Sequence, residues 1–285
     1  MLRYFLLVIA HIAVYFLVFC DDVSALPAHG LQSKPLSIKT LYFEHLPTPS
    51  VVQSVVYSIV QDSRGFMWFG TKDGLYRYDG LQSMVFIHNP LDSLSISDNR
   101  ILNVYEDLDG DIWIATQDGG LNLFQRTTAT FKRYQPKSSS TTAIRSNRVA
   151  FSYQDRTRMF WVGTENGLHR FDKKKQEFTV FLSNPNDSLA LPSNYIRCVL
   201  ETHKGELWFG TVSGGLVRYN RASGTFTTFR RNPRNPRTIA DNTIHVITED
   251  NKGILWLGTA RGLSAFNPAT AESVNYLHTP TKNNS

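Results

Sequence analysis

The sequence predicts an all-β chain, a β-propeller of four-stranded antiparallel blades with five blades present. Three observations carry this. The chain's five tryptophans, Trp68, Trp113, Trp161, Trp208 and Trp256, recur at spacings of 45 to 48 residues, and a fixed period of this size means stacked copies of one supersecondary unit. Each copy holds four short runs rich in Val, Ile, Phe, Tyr, Trp and Thr, broken by Gly, Asp, Asn and Pro, which is strand chemistry with turn chemistry between. No stretch after residue 30 sustains an apolar period of 3.6, so helices are expected to be scarce. Four antiparallel strands in about 45 residues make a propeller blade.

In chain order, the first segment is different in kind. Arg3 precedes an apolar run from Tyr4 to Phe19, broken only by His11, and Val23-Ser24-Ala25 offers small residues for cleavage. Residues 1–25 therefore read as a secretory signal, with an uncleaved membrane anchor as the alternative. A linker is expected over 26–40. Residues 41–46, Leu-Tyr-Phe-Glu-His-Leu, read as a closing strand that completes another blade. Blades are expected over 54–90, 99–136, 147–184, 194–232 and 242–278, followed by a polar tail at 279–285. Either five blades close on themselves, or the chain is the front part of a longer propeller; an open end would expose strand edges.

Within each copy the shared positions have structural jobs. Asp62, Asp107, Asp155 and Asp250 lie six residues before their Trp, with Thr202 in the fourth copy. Asp-x-x-Gly before Trp is the signature of a tight turn: Asp bonds backbone N–H groups and Gly accepts positive φ. Arg158 stands where the third copy should have that Gly. The Trp is expected to fill the wedge between blades. Gly two residues later (Ala115 in the second copy) leaves room for close packing. Asn99, Asn147, Asn194 and Asn242 form a further column, with Ser54 in the first copy.

The chain carries 30 Lys and Arg against 24 Asp and Glu, a net charge of +6. Loss of residues 1–25 removes Arg3, Asp21 and Asp22, raising the balance by one. In an exported chain the partners compatible with such a charge are acidic polysaccharide, anionic headgroups or a small anion rather than nucleic acid, and a merely basic soluble surface is the plainer reading. Cleavage would leave Cys198 as the single cysteine, so no disulfide framework holds the chain together; its apolar context predicts a buried small side chain.

Recognition is expected where copies differ on a converging surface. Counting from the Asn column, the second and fifth positions are apolar (Ile101 and Val104, Ile196 and Val199, Ile244 and Ile247), hence packing. The first and third vary: Val55 and Tyr57, Arg100 and Leu102, Arg148 and Ala150, Tyr195 and Arg197, Thr243 and His245. These open the innermost strands near one mouth of the central channel. Arg100, Arg148, Tyr195, Arg197 and His245 are thus the candidate binding residues for an anionic or carbohydrate ligand, Arg supplying a fork of donors and aromatics a stacking face. Scattered solvated side chains are the plain alternative. The turn-rich inter-blade loops are a second candidate, above all the one with Arg230, Arg231, Arg234 and Arg237.

Catalysis is not expected. Asp-x-x-Gly-x-x-Trp is close to the sialidase Asp-box, with one residue more between Asp and Gly, but Asp-boxes are structural turns. A glycosidase needs two facing carboxylates, and Glu106, Glu201 and Glu249, with Gln61 and Gln154 in the same column, recur with the scaffold. No Ser-His-Asp arrangement, phosphate loop, zinc spacing or calcium loop is present. No cofactor or metal is called for.

The stretches SVVYSIVQDSRGFMWFGTKDGLYRYDG (54–80), LPSNYIRCVLETHKGELWFGT (191–211) and IADNTIHVITEDNKGILWLGT (239–259) resemble the two-component regulator propeller repeats. The resemblance spans about residues 40–278. It implies the periplasmic sensor region of a hybrid histidine kinase or diguanylate cyclase. Relatives carry two seven-bladed propellers, an immunoglobulin-like connector, a membrane span and a cytoplasmic output domain. By that pattern this chain reads as a front portion of such a protein, with kinase or cyclase activity residing elsewhere. It implies membrane attachment through a downstream segment or the uncleaved N-terminus, and self-association as in dimeric sensors. The lead-in TPSVVQSVVYS lacks the Gly-Leu-Ser that often precedes the family's first blade. A stand-alone exported propeller binding protein or glycan, and third a polysaccharide-active enzyme, are the alternatives.

Overall fold

The computed structural model describes residues 54–277; the expected signal segment, linker, closing strand and tail lie outside the described residues. Twenty strands form five four-stranded antiparallel sheets, each in simple sequence order. The sheets span 56–86, 101–134, 149–181, 196–229 and 244–277 and are here blades 1 to 5. Among the described residues there is no helix.

The inner strands, Val56–Gln61, Ile101–Glu106, Val149–Gln154, Ile196–Glu201 and Ile244–Glu249, lie side by side, each against the next. Four apolar clusters sit between consecutive blades. The first, for example, joins Trp68 and Leu75 of blade 1 to Ile101, Ile112, Ile114 and Phe124 of blade 2. Each blade therefore has a tryptophan face that meets the following blade and an opposite face that receives the preceding one.

The wedge expectation holds for four tryptophans. Trp68, Trp113, Trp161 and Trp208 are at most 1% exposed, each a gross gain on the order of 5 kcal/mol at ~25 cal/mol per Å² over roughly 200 Å². Each is held between the aromatic of its own outer strand and one from the next blade's third strand: Phe86 and Phe124 about Trp68, Tyr134 and Phe171 about Trp113, Phe181 and Tyr219 about Trp161, Phe229 and Phe266 about Trp208. Trp256 differs. It is only half-buried and, among the described residues, stacks on Tyr276 alone.

The small-residue column works as expected. A Cβ on Gly70 would lie 2.8 Å from Ile101 Cγ2, and one on Gly210 2.8 Å from Ile244 Cγ2. The copy with Ala115 meets Val149 where Gly70 and Gly210 meet Ile101 and Ile244, so one methylene is given up opposite the methyl gained. In the turn column, Gly65, Gly110, Gly205 and Gly253 have φ of 79 to 91°, and Arg158 takes the same left-handed conformation at 65°.

Candidate functional site

Two opposite rims are built from different side chains. At the rim holding the Asp turns, one carboxylate does several jobs. Asp62 Oδ1 accepts the amides of Arg64 and Phe66 (3.0 and 2.9 Å), and Oδ2 accepts Trp68 Nε1 (2.9 Å). Asp107, Asp155 and Asp250 repeat this, with Trp Nε1 at 2.7, 2.9 and 3.0 Å. The next blade then adds a cation from the turn after its third strand. Arg126 reaches Asp62 (3.0 Å) and Glu106 (3.1 Å), Lys173 reaches Asp107 (2.7 Å), and Arg221 reaches Asp155 (2.6 Å) and Glu201 (2.8 Å). Burial opposes ionisation of Asp155, yet the bonds from Thr157, Trp161 and Arg221 hold its carboxyl below the usual range.

The fourth copy departs twice. Thr202 replaces Asp, leaving Trp208 Nε1 buried without a partner, and the cation position of blade 5 is Pro268.

The Glu/Gln column is occupied by the scaffold. Ser63 N donates to Glu106 (2.6 Å), Leu108 N to Gln154 (2.9 Å), Arg156 N to Glu201 (2.9 Å) and His203 N to Glu249 (2.7 Å). Each side chain ties its blade to the preceding turn. Among the described residues no group of His, Cys, Asp and Glu is arranged to hold a metal ion.

At the opposite rim the inner strands begin. The carbonyls of Val55, Arg100, Arg148, Tyr195 and Thr243 accept amides from the turn between the second and third strands, at 2.9 to 3.3 Å. The third-position column has a cause not visible in the sequence. In every blade the register skips that one residue: Tyr57, Leu102, Ala150, Arg197 and His245 are the unpaired residues of a β-bulge. A bulge re-aims a side chain off the ladder.

The candidate residues come together in pairs. Arg100 Nη2 donates to Tyr57 Oη (3.1 Å), and its guanidinium lies 5.5 Å from that ring's centre. Arg148 lies 5.7 Å from the centre of Tyr195. Burial and the Arg197 charge push the His245 imidazole below its usual value. Among the described residues no hydrogen bond or ion pair links these pairs to one another. Tyr57, which the residue-type reading left out of the candidate set, is the direct partner of Arg100.

Charge separates the two rims. Arg126, Lys173 and Arg221 are all paired with carboxylates, whereas Arg100, Arg148 and Arg197 are in no ion pair among the described residues. The Nε atoms of Arg100 and Arg148 are buried without partners.

The arginine loop divides: Arg230 caps Gly214 O (3.1 Å) and Arg237 pairs with Glu272 (3.0 Å), while the Arg231 and Arg234 side chains make no hydrogen bond among the described residues. Cys198 packs against the blade 4–5 cluster with its thiol enclosed, as its apolar context predicts, and burial pushes the thiol up to about 12. A cavity of about 270 Å³ lies not at the arginine rim but beside the Asp-rim turn of blade 4, between Lys204 and Arg221.

The two component regulator propeller family model matches residues 50–73, 190–213 and 238–261. Histidine kinase P4 of Formosa agariphila is 45% identical over 51 residues, 18% of this chain and 4% of that protein. The extracellular domain of the hybrid two-component system BT3049 from B. thetaiotaomicron is 29% identical, with a TM-score of 0.66, over 79% of this chain and 30% of that one. PorZ, a bacterial surface component of the type-IX secretion system of Porphyromonas gingivalis, shares the fold at 15% identity, with a TM-score of 0.57, over 78% of this chain and 33% of that one. The chain thus spans under a third of the BT3049 domain. Among the described residues no helix is long and apolar enough to cross a membrane.

Proposed function

We propose that this chain, whose blades are two-component regulator propeller repeats, is a ligand-sensing input region of a two-component-type signalling protein. It works in the periplasm, with the arginine rim as its binding surface and the output domain elsewhere. The observation that carries this is the likeness to an extracellular domain of a hybrid two-component system at 29% identity over 79% of the chain. The apolar leader with its small-residue exit supports export.

The ligand class follows from the rim. Unpaired Arg100 and Arg148 each lie against a tyrosine face, and Arg197 sits beside His245. A fork of donors over an aromatic face accepts a carboxylate or sulfate carried on a flat apolar body such as a sugar ring. We therefore assign an acidic oligosaccharide or related anion.

The test is thermal denaturation with oligogalacturonides, and with inorganic sulfate as a simple-anion control. The wild-type midpoint is expected to rise with dose, and the Arg100→Ala/Arg148→Ala double variant to show no rise. An equal rise in the double variant, or no rise in the wild type, would overturn the assignment. Alkaline phosphatase fused after residue 277 is expected to be active in whole cells and inactive once residues 1–25 are deleted; an inactive fusion, or activity unchanged by the deletion, would remove the export reading.

A further inference from the structure

We infer that the connector from blade 4 to blade 5 is a second anion surface, one that takes successive charges of a linear acidic polysaccharide. The inference extends the acidic-oligosaccharide reading of the same rim, on which it rests for the class of ligand.

The connectors between blades are one repeated object, and three of them compare position by position: 88–97, 183–192 and 231–240. Each closes on the asparagine that follows it. His88 N, Ser183 N and Arg231 N donate to the Oδ1 atoms of Asn99, Asn194 and Asn242 at 2.6, 2.7 and 2.8 Å. Each then makes two successive turns. The Oδ1 atoms of Asn89, Asn184 and Asn232 accept the amide two residues on, at 3.0 Å. Those of Asp92, Asp187 and Asn235 repeat this at 2.9 to 3.0 Å. Each connector is finally pinned to the outer strand of the next blade: the carbonyls of Leu94, Leu189 and Arg237 accept Phe131, Phe226 and Ser273 N at 2.6 to 2.8 Å. A loop tied at its start, its turns and its far end presents its tips from a fixed frame. The frame does not dictate the tip side chains. The same two positions hold Leu91 and Leu94, Asn186 and Leu189, and Arg234 and Arg237, all exposed.

The charge of the last connector is therefore not a requirement of its fold. The first and third carry one acid each and no Lys or Arg; the last carries Arg231, Arg234 and Arg237 and no acid. Its second turn needs an oxygen rather than a charge, and Asn235 supplies it where the others use Asp. Arg230, just before, donates to Gly214 O at 3.1 Å, a bond that the neutral Gln135 makes to Gly119 O after blade 2. Of the acids beside the loop, Glu272 pairs with Arg237 at 3.0 Å, both side chains being half exposed or more, and Asp241 accepts Thr243 N. The Arg231 and Arg234 side chains have no partner among the described residues.

An exposed guanidinium holds a single small anion weakly, because water screens the pair. Cations on fixed tips act together when the charges opposite them are joined in one chain, since every contact after the first is intramolecular. Arg231 leads inward through Asn242 to the strand of His245, beside Arg197. The tips thus continue the charge of the rim outward. A polyuronate or sulfated polymer whose end is seated at the rim fits that course, and a free sulfate does not.

The test uses Arg231→Ser/Arg234→Asn, which gives the last connector the residues of the third at both positions and should leave folding unchanged. Calorimetric titrations with trigalacturonate and with a long polygalacturonate fraction, at low and high salt, compare the wild type, this variant and the Arg100→Ala/Arg148→Ala variant. The wild type should bind the long chain several-fold more tightly than the trimer, a gain that high salt removes. The connector variant should keep trimer binding and lose the gain. An equal gain in both proteins would overturn the inference and leave the rim reading intact. A trimer that the wild type does not bind, or that the rim variant binds equally well, would overturn the rim reading, while the connector is still judged by whether its variant weakens the long chain. Sedimentation with phosphatidylglycerol vesicles that the connector variant abolishes, with no gain for long galacturonate, would overturn the polysaccharide in favour of a membrane surface.

Discussion

His169 replaced by Asn should abolish a pH dependence that the wild-type fold carries between pH 6.5 and 4. His169 lies in the third strand of blade 3 with no exposed surface, edge-on to Phe178. Its Nε2 accepts Arg145 N at 3.1 Å, so the ring is needed neutral, and Nδ1 is buried without a partner. Burial pushes its pKa down from 6.5 to about 4. The unfolded chain takes up a proton below about pH 6.5 that the folded chain refuses until about pH 4, so this contribution is complete above 6.5 and lost as the pH falls to 4. At ~1.4 kcal/mol per pKa unit the full loss is about 3 kcal/mol, with about 1.4 gone at pH 5.5 and about 2.5 at pH 4.5. Blade 2 supplies the control side chain: Asn122 at the same position accepts Ser97 N at 3.1 Å and is itself fully buried. Urea unfolding followed by tryptophan fluorescence at pH 7.5, 5.5 and 4.5 reads the effect. Wild type should lose about 2.5 kcal/mol across this range beyond the loss in His169→Asn. The lowered His245 acts in the same direction in both proteins and cancels in the difference. The depressed carboxylates Asp62 and Asp155 lose their contributions below the ordinary aspartate value of 3.8, outside the window. Parallel pH profiles for the two proteins would refute the reasoning.

Three further outcomes follow from the blade interfaces. Arg221→Met strips the counter-charge from Asp155 and Glu201 and should cost about 2 kcal/mol in urea unfolding, below the roughly 3–5 kcal/mol of a fully buried pair because Arg221 is partly exposed; a double-mutant cycle with Asp155→Asn should recover most of that as coupling. Gly70→Ala drives a methyl to within 2.8 Å of Ile101 and should cost about 1–3 kcal/mol, and adding Ile101→Val should return part of it, reproducing the Ala115–Val149 combination. Thr202→Asp gives Trp208 Nε1 an acceptor but leaves a carboxylate facing Pro268; calorimetry should show that Thr202→Asp with Pro268→Arg exceeds the sum of the two single changes by about 1 kcal/mol, whereas strict additivity would mean that the two positions do not form one unit.

What the sequence made legible was whatever repeats within a copy. The strands, the Asp turn, the wedge Trp and the small residue beside it each recur at fixed offsets, and their roles follow from residue type. What it concealed was whatever joins one copy to the next. Asp62 and Arg126 are 64 residues apart, and Asp155 and Arg221 are 66 apart; read as columns they are a turn residue and an unremarked cation. The signal was nonetheless present as paired absences, since Thr202 and Pro268 depart together. A second such pair sits in the interior: Ser97, Arg145 and Ala240 donate backbone N–H groups to Asn122, His169 and Ser264. In blade 4 the donor position is Pro192, which has no N–H, and the acceptor position is Val217, which accepts nothing. A buried donor and its acceptor are kept or lost as one because either alone costs ~1–3 kcal/mol.

The arginine rim was read by the same columns, and there the limit was geometric. Alternation along a strand cannot reveal a bulge, so Tyr57, Leu102, Ala150, Arg197 and His245 were seen as variable without the reason that frees them. A scaffold that sets aside one unpaired residue per blade at the same depth makes five positions whose identity the ladder does not constrain. Two of the five hold Arg197 and His245, where burial and then the Arg197 charge lower the imidazole's affinity for a proton, and a third holds the tyrosine that binds Arg100. On the function proposed above, such charges, left without acids among the described residues while the lysine and arginines of the Asp-rim blade-to-blade lock are all paired, would be stabilised by an anion that arrives from outside, and the binding energy of that anion would be available to report its presence.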